Sequence, residues 1–275
     1  MSKPLVSICC LSFNHEKFIQ QCLDGFLMQK TDFTYEVLIH DDASTDKTAD
    51  IIREYEKKHP DIIKPIYQTE NQYSKGVAVT RKFNFSRAQG DYIAMCEGDD
   101  YWTDPLKLQK QVDFLESNLD YGLCFHNVNV LTSESNTIKP DDYSNNSPEI
   151  STIEDLAKKN YINTLSVVLR NDFTLPTFTS GFISGDWALY IIQIKDRKIK
   201  RINDTMGVYR IHKGGVWSSI TKDDKLKFLI NTIQLILDNV PLSETPNFHL
   251  RKRLKKLKFK RFKHRIKRGL KLTKS

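Results

Sequence analysis

The sequence predicts an α/β protein with a mostly parallel, doubly wound central sheet flanked by helices, and three observations carry that expectation. Apolar runs of strand length alternate with segments of helical period, the order that builds right-handed βαβ units. Several of those runs are continuous and not alternating, as strands buried on both faces are. The runs stop abruptly on polar residues, at the strand ends where open α/β sheets bind ligands. At 275 residues the chain suits one large domain, or one domain with an appendage.

Residues 5–11, Leu-Val-Ser-Ile-Cys-Cys-Leu, read as the first interior strand. Phe18, Ile19, Cys22, Leu23, Phe26 and Leu27 then recur at i, i+3 and i+4, which predicts a helix. A second strand over 35–39 runs into His40-Asp41-Asp42, and a helix over 46–57 follows with Ser44 as candidate N-cap. Residues 62–67 form a weaker third strand, whose Pro65 predicts an edge or a terminus. Next come a helical segment over 80–88, an interior strand over 91–96 and a helix over 106–116. That helix is opened by Asp104 as N-cap and Pro105 at its first position. The second half reads as a strand over 123–131, an exposed loop over 133–150, and a capping box at 151–154 that starts a short helix. A strand-like 164–169, a helix over 186–194, a short strand over 208–211 and an amphipathic helix over 226–237 complete it.

No stretch reaches the ~18 to 20 uninterrupted apolar residues needed to span a bilayer. A strand begins at once, leaving no room for a signal peptide, so a cytoplasmic protein is expected. Cys9, Cys10, Cys22, Cys96 and Cys124 fall in apolar runs without a CxxC pair and read as reduced core thiols. The net charge of +8 is unevenly spread. Residues 249–275 carry 14 Lys/Arg and no Asp/Glu, leaving 28 basic against 34 acidic residues in 1–248. A mildly acidic body therefore bears one strongly basic tail, which points to a partner of its own for the tail.

Three consecutive segments place polar residues at strand ends: Ser12-Phe13-Asn14, Asp41-Asp42 and Glu97-Gly98-Asp99-Asp100. Each alone could be a turn or a helix cap. Together they set up to five carboxylates along one edge of one sheet, a repulsion that a cation or ligand donors would relieve. There is no G-x-G-x-x-G and no G-x-x-x-x-G-K-[ST], so no glycine amides cradle a phosphate. A nucleoside diphosphate bound here would need a divalent metal, and the hard oxygens of Asp99 and Asp100 suit Mn2+ or Mg2+.

The four segments Val6–Asn14, Asp41–Asp46, Ala88–Ile93 and Glu97–Asp100, in that order, resemble family 2 of the inverting glycosyltransferases, which have the GT-A fold. The resemblance spans about residues 4–215. It implies a transferase domain over 1–222, with a donor-binding part to about 131 and an acceptor-side part beyond. A helix over 223–248 would pack on that domain, ahead of the basic tail 249–275. It implies that Ser12, Phe13 and Asn14 lie under the nucleotide, that one of Asp41 and Asp42 accepts from the base, and that Glu97 and Asp99 hold the ribose. Metal binding falls to Asp99 and Asp100. The first acidic position is Glu97 where the family pattern has Asp, which leaves the main ligand open between the two aspartates. Arg81 matches a donor-contacting arginine, although Lys82 replaces the Asn beside it.

The resemblance also implies a catalytic base on the acceptor side, and Asp186 in Gly185-Asp186-Trp187 matches it; an N-cap role is its structural alternative. Trp187 could stack on a sugar or belong to the core. Tyr209-Arg210-Ile211-His212 resembles the segment that closes over the diphosphate, with Arg210 offsetting charge and His212 a candidate metal ligand. No Gln-x-x-Arg-Trp motif of processive members is present, so single-sugar transfer is expected, from a UDP-sugar or another nucleotide-sugar to a glycan or lipid-linked acceptor in cell-surface polysaccharide synthesis. Segments 133–182 and 213–222 are expected to shape the acceptor pocket.

In the tail, Leu250, Leu254 and Leu257 share one helical face, while Phe259, Phe262, Ile266 and Leu270 fall nearly opposite. A kink or two short helices are therefore expected. Binding to an anionic membrane surface is the leading role for this tail, ahead of a solvated tail; nucleic-acid binding is not expected of an acidic body. Two other classes stay open at this point. A metal-dependent nucleotidyltransferase would want a basic glycine-rich loop, and a non-catalytic protein binding membrane or nucleic acid through its tail would not need the acidic strand ends.

Overall fold

A computed structural model describes residues 3–173 and 186–272. Its first half is β1 (Val6–Ser12), α1 (Ile19–Leu27), β2 (Tyr35–Asp41), α2 (Thr48–Lys58), β3 (Ile63–Tyr67), β4 (Tyr92–Met95), β5 (Tyr101–Trp102) and α3 (Lys107–Ser117). The second half is β6 (Tyr121–Thr132), β7 (Thr137–Pro140), α4 (Asp142–Asn145), β8 (Ile150–Ser151), α5 (Ile153–Lys158), β9 (Val168–Arg170), α6 (Asp186–Ile194), β10 (Lys198–Ile211), α7 (Val216–Ser219), α8 (Lys222–Asn239) and α9 (Glu244–Leu272). The strands form one sheet in the order β3-β2-β1-β4-β9-β6-β10-β5, with β7 on β6 and β8 on β10. β3, β2, β1 and β4 run parallel, as do β6 and β10, while β9 is antiparallel to both β4 and β6. This is the α/β architecture of the GT-A fold.

The parallel block is a sandwich of apolar strand faces, which is why its sequence is continuous. Val6, Ile8 and Cys10 of β1 face one core with Val37, Ile39 and the helix residues Leu23, Phe26 and Ile52. Cys9 and Leu38 point the other way, into a second core with Ile93, Phe125, Trp187 and Tyr190. All five cysteines are buried, unpaired thiols. Gly90 lets β4 start against β1: a Cβ there would meet the Ser7 nitrogen at 2.5 Å, and its amide donates to Ser7 Oγ at 2.8 Å.

Several sequence expectations are corrected in detail. Ser44 does not cap α2, whose N-cap position is Lys47; Asp46, one residue before it, accepts from the Thr48 amide at 2.9 Å. Residues 80–88 form a π-helical turn, Thr80–Asn84, followed by a 3-10 turn, Phe85–Arg87. Helix α3 starts one residue later than expected, with Asp104 accepting from the Leu106 amide at 2.8 Å in the turn before it. The segment 133–150 contains β7, α4 and the first residue of β8. The capping box of α5 is built by Thr152 and Asp155, one residue on from the expected frame. Strand β10 runs for 14 residues, far beyond 208–211. The basic tail belongs to one helix of 29 residues, α9, whose first turns precede the basic run. Leu250 and Leu254 are buried in the second core, with Leu257 packed against it. No helix among the described residues is long and apolar enough to cross a membrane.

Candidate active site

The carboxyl ends of β1, β2 and β4 converge because their loops are stitched together by polar side chains. Asn14 adopts the left-handed conformation, φ 55°, which Asn tolerates better than most residues. Its amide donates to Ser44 Oγ at 2.9 Å, and its Oδ1 accepts from the Thr45 amide at 2.8 Å. The next amide, of His15, donates to Thr48 Oγ1 at 2.8 Å. Gly98 allows the β4 loop to close on the β1 loop, since a Cβ there would sit 3.0 Å from both Ser12 Oγ and His15 Nδ1.

The acidic residues at these ends do different work. Asp41 accepts from the hydroxyl and amide of Ser44 at 2.5 and 3.2 Å; burial raises its pKa, and those bonds oppose the rise. Asp42 accepts from the amides of Gln72 and Tyr73 at 2.8 and 3.0 Å, so it anchors the loop after β3. Asp100 is 1% exposed and accepts from the Arg210 amide at 2.8 Å, tying the β4 loop to β10. Burial, then the charges of Asp99 and Glu97, raise its pKa well above the carboxylate range.

Asp99 stands apart. Its Oδ2 lies 2.9 Å from His212 Nε2 and 3.9 Å from His15 Nε2, and these three residues can offer ligand atoms all within 4.8 Å of one another. Burial works to raise the Asp99 pKa, but His212 and His15 outweigh it and hold the carboxyl below its ordinary value. Burial lowers the His15 pKa against the opposing pull of Asp99. One carboxylate and two imidazoles form a donor set suited to a borderline divalent cation such as Mn2+. Arg210 brackets the trio: its Nη1 donates to the Asp99 carbonyl at 2.5 Å, its Nη2 to Gln21 Oε1, and its guanidinium lies 4.3 Å from the Tyr101 ring centre.

One cavity of about 600 Å³ joins this end of the sheet to the N-terminus of α6. Ser12, Phe13, Asp42, Arg81, Glu97, Asp99, Asp100, Asp186 and Arg210 all line it. Asn14 and His212 line an adjoining cavity of about 370 Å³, and Asp41 lines neither. Phe13 is 42% exposed, presenting its ring to the cavity. Glu97 is pushed up to about 8 by burial and by the charges of Asp99 and Asp186.

At the far end, half-buried Asp186 accepts from Thr164 Oγ1 at 3.3 Å, and burial raises its pKa. Its carboxylate also accepts from the Trp187 amide, so a capping contact and an outlook on the cavity coexist. Trp187 is core: 4% exposed, its indole donates to the Leu156 carbonyl at 2.9 Å. Tyr143, Asn163, Trp217 and Phe228 complete this wall, and Gly214, Gly215, Trp217 and Ser218 bring segment 213–222 to it. Gly185 and residues 174–182, also expected near the acceptor, lie outside the described residues.

Sequence reasoning missed His15 and Arg253. His15 directly follows Ser12-Phe13-Asn14, but a histidine in a loop carries no signal until β10 brings His212 beside it. Arg253 was hidden among the cations of the basic run.

The sequence profile described as Glycosyl transferase family 2 matches residues 7–175. The UDP-Glc:alpha-D-GlcNAc-diphosphoundecaprenol beta-1,3-glucosyltransferase WfaP of Escherichia coli is 30% identical over 227 residues, covering 80% of this chain and 82% of that protein. Among solved structures, S. aureus TarS in complex with UDP-GlcNAc superposes with a TM-score of 0.64 at 16% identity, over 89% of this chain and 70% of that one. The mannosyltransferase PcManGT of Pyrobaculum calidifontis, in complex with GDP-Man and Mn2+, gives 0.59 at 16%, over 92% and 70%. At such identity the two structures speak for the fold, and the sequence matches speak for descent. The chain belongs to glycosyl transferase family 2.

Proposed function

We propose that the chain transfers one sugar, with inversion, from a nucleotide-diphosphate sugar to a glycan or lipid-linked acceptor in the assembly of a cell-surface polysaccharide, with a UDP-sugar the favoured donor. The observation that carries this reading is the single cavity that joins the Asp99 end to the Asp186 end. Its volume of about 600 Å³ falls within the usual range for sites that hold a ligand of this size. The UDP-Glc donor and lipid-diphosphate acceptor named for the E. coli relative support the choice of substrates.

In this reading Ser12, Phe13 and Asn14 seat the nucleotide, Asp41 and Asp42 hold the base-side loops, and Arg81 reaches the donor. Arg210 offsets charge on the leaving diphosphate. Asp186 takes the proton from the acceptor hydroxyl as its oxygen attacks the anomeric carbon and the bond to the nucleoside diphosphate breaks. Its raised pKa makes it a stronger base for that purpose. Asp99, His212 and His15 would hold Mn2+ or Mg2+, the imidazoles favouring Mn2+, with Asp100 behind them. Such an ion, when bound, supplies positive charge to the diphosphate.

The outer face of α9 supports a peripheral membrane location, on the cytoplasmic side in this reading. Phe248, Phe259, Phe262 and Ile266 are 58, 58, 62 and 46% exposed and share that face among many cations. Apolar insertion and attraction to anionic lipid add together in such a helix.

Calorimetric titration of the protein with UDP, with and without Mn2+, tests the reading. Binding that needs the metal is expected; equal binding without it removes the metal role of the trio, and no binding in either condition removes the nucleotide-sugar reading.

A further inference from the structure

Helix α9 reaches the acceptor end of the cavity through one side chain, Arg253. Its guanidinium lies 4.4 Å from the centre of the Trp187 ring, and its Nη1 donates to the Lys158 carbonyl at 3.2 Å. The rest of the group borders the cavity near Tyr143 and Asn160. Burial lowers its pKa, and Tyr143 is the one titratable group that acts on it in the opposite sense. Among the described residues no carboxylate stands within ion-pair distance of Arg253. The contrast along the same helix is direct, since Arg261 makes a bidentate pair with Asp223 at 3.0 and 2.9 Å.

A half-buried cation without a counter-charge is costly to keep unless something supplies the charge. The Trp187 ring lies against the guanidinium, and a guanidinium edge fits two phosphate oxygens at once. A second cation lies nearby, outside the cavity lining: exposed Lys159 has its Nζ 3.6 Å from the centre of the Tyr143 ring, which does line the cavity, while its neighbour Lys158 already pairs with Asp155. Arg253, Tyr143 and Asp186 line the same cavity, which puts the cation and the proposed base on one site.

We infer that Arg253, supported by Lys159, forms a subsite for a phosphoryl group carried by the acceptor. α9 is then part of the acceptor site as well as a surface contact. The inference rests on the glycosyltransferase reading, which puts the acceptor at the Asp186 end. The phosphoryl group could come from a lipid diphosphate or from a phosphodiester polymer, and both present the same chemistry to Arg253.

The test uses the full chain with UDP and Mn2+ at saturation, so that the donor end is filled. Inorganic pyrophosphate, geranyl diphosphate and a glycerol-phosphate oligomer are then titrated in by calorimetry. Pyrophosphate is expected to bind, and Arg253→Gln to weaken it about ten-fold or more. Arg253→Lys should recover part of the loss, with UDP affinity and the melting temperature of both variants unchanged. Tighter binding of geranyl diphosphate assigns the phosphate to a lipid carrier, and tighter binding of the oligomer assigns it to a polymer. Pyrophosphate that fails to bind, or binds Arg253→Gln as well as wild type, overturns the inference while UDP binding leaves the donor reading standing. Absence of UDP binding to the wild type overturns both.

Discussion

At the strand ends behind the donor end of the cavity, Asp41, Asp42 and Asp100 each give their carboxylate to amides or hydroxyls of a neighbouring segment. At the acceptor end, Asp186 accepts from the Thr164 hydroxyl, the Asn160 side chain and the Trp187 amide, and the wall around it carries aromatic rings and the cation Arg253. Three of the five strand-end acids thus serve to fix loops, and Asp99 alone is drawn into a cluster of ligand type. The donor end is a rigid polar frame, and the acceptor end is a set of surfaces supplied by the second half of the chain. Rigid frames suit a common nucleotide part; adaptable walls suit an acceptor that varies.

The sharpest break between the two ends is a pair of isosteric changes. Asp186→Asn should lower transfer by ~10²-fold or more, the range for loss of a general base, while UDP affinity stays within two-fold of wild type. Transfer and UDP binding measured on the same preparation decide it; full activity in the variant removes Asp186 as the base. Asp99→Asn should do the converse. Metal-dependent UDP binding should weaken by at least the ~10- to 100-fold seen when even the supports of a metal ligand are removed. Asp100→Asn is the control inside the donor end, because an amide oxygen can still accept from Arg210. It should keep metal-dependent UDP binding, and its loss there would make Asp100 a ligand in its own right.

How far the sequence reveals these ends follows the same division. β1, β2 and β4 are continuous apolar runs that stop on Ser12, Asp41-Asp42 and Glu97, so their order and ends can be read directly. β10 cannot, because its register against β6 shifts near Lys198/Ile199, Ile202/Thr205 and Thr205/Gly207, which breaks any two-residue period. β9 is three residues long and enters the sheet antiparallel between β4 and β6, a placement that only tertiary pairing decides. Asp99 and Asp100 look alike in the sequence; the Arg210 amide on Asp100 and the His212 imidazole on Asp99 come from a segment over a hundred residues away, and His15 from the opposite direction in the chain. The two faces of α9 are visible in the sequence, yet one continuous helix forms in place of two short ones, because each face has its own surroundings, core on one side and solvent on the other.

Those two faces give the next contrast. Leu250 is fully buried, so Leu250→Ala should cost ~2–4 kcal/mol of stability, seen as an earlier denaturant midpoint. Phe259→Ser with Phe262→Ser should leave that midpoint nearly unchanged, as exposed substitutions do, but release the protein from anionic vesicles in a sedimentation assay. Vesicle binding equal to wild type would place the membrane contact elsewhere.

The last test asks whether the frame tolerates a buried charge. Lys107 is fully buried on α3, its Nζ has no hydrogen-bond partner and lies 3.9 Å from the Trp102 ring centre. Burial lowers its pKa from 10.5 to about 7. Above pH 7 the folded lysine is neutral while the unfolded one still binds a proton, so stability from this group rises as pH climbs from about 7 toward 10.5. Below pH 7 the desolvation penalty is fully present. Lys107→Met removes the penalty, so its melting temperature should exceed wild type by on the order of 10 °C at pH 6.5, since a shift of this size is worth roughly 4–5 kcal/mol at ~2–4 °C per kcal/mol. The gap should narrow steadily toward pH 9.5. Parallel curves for the two proteins would mean that the ring of Trp102 keeps Lys107 charged in the fold, and that cation–π attraction offsets burial there.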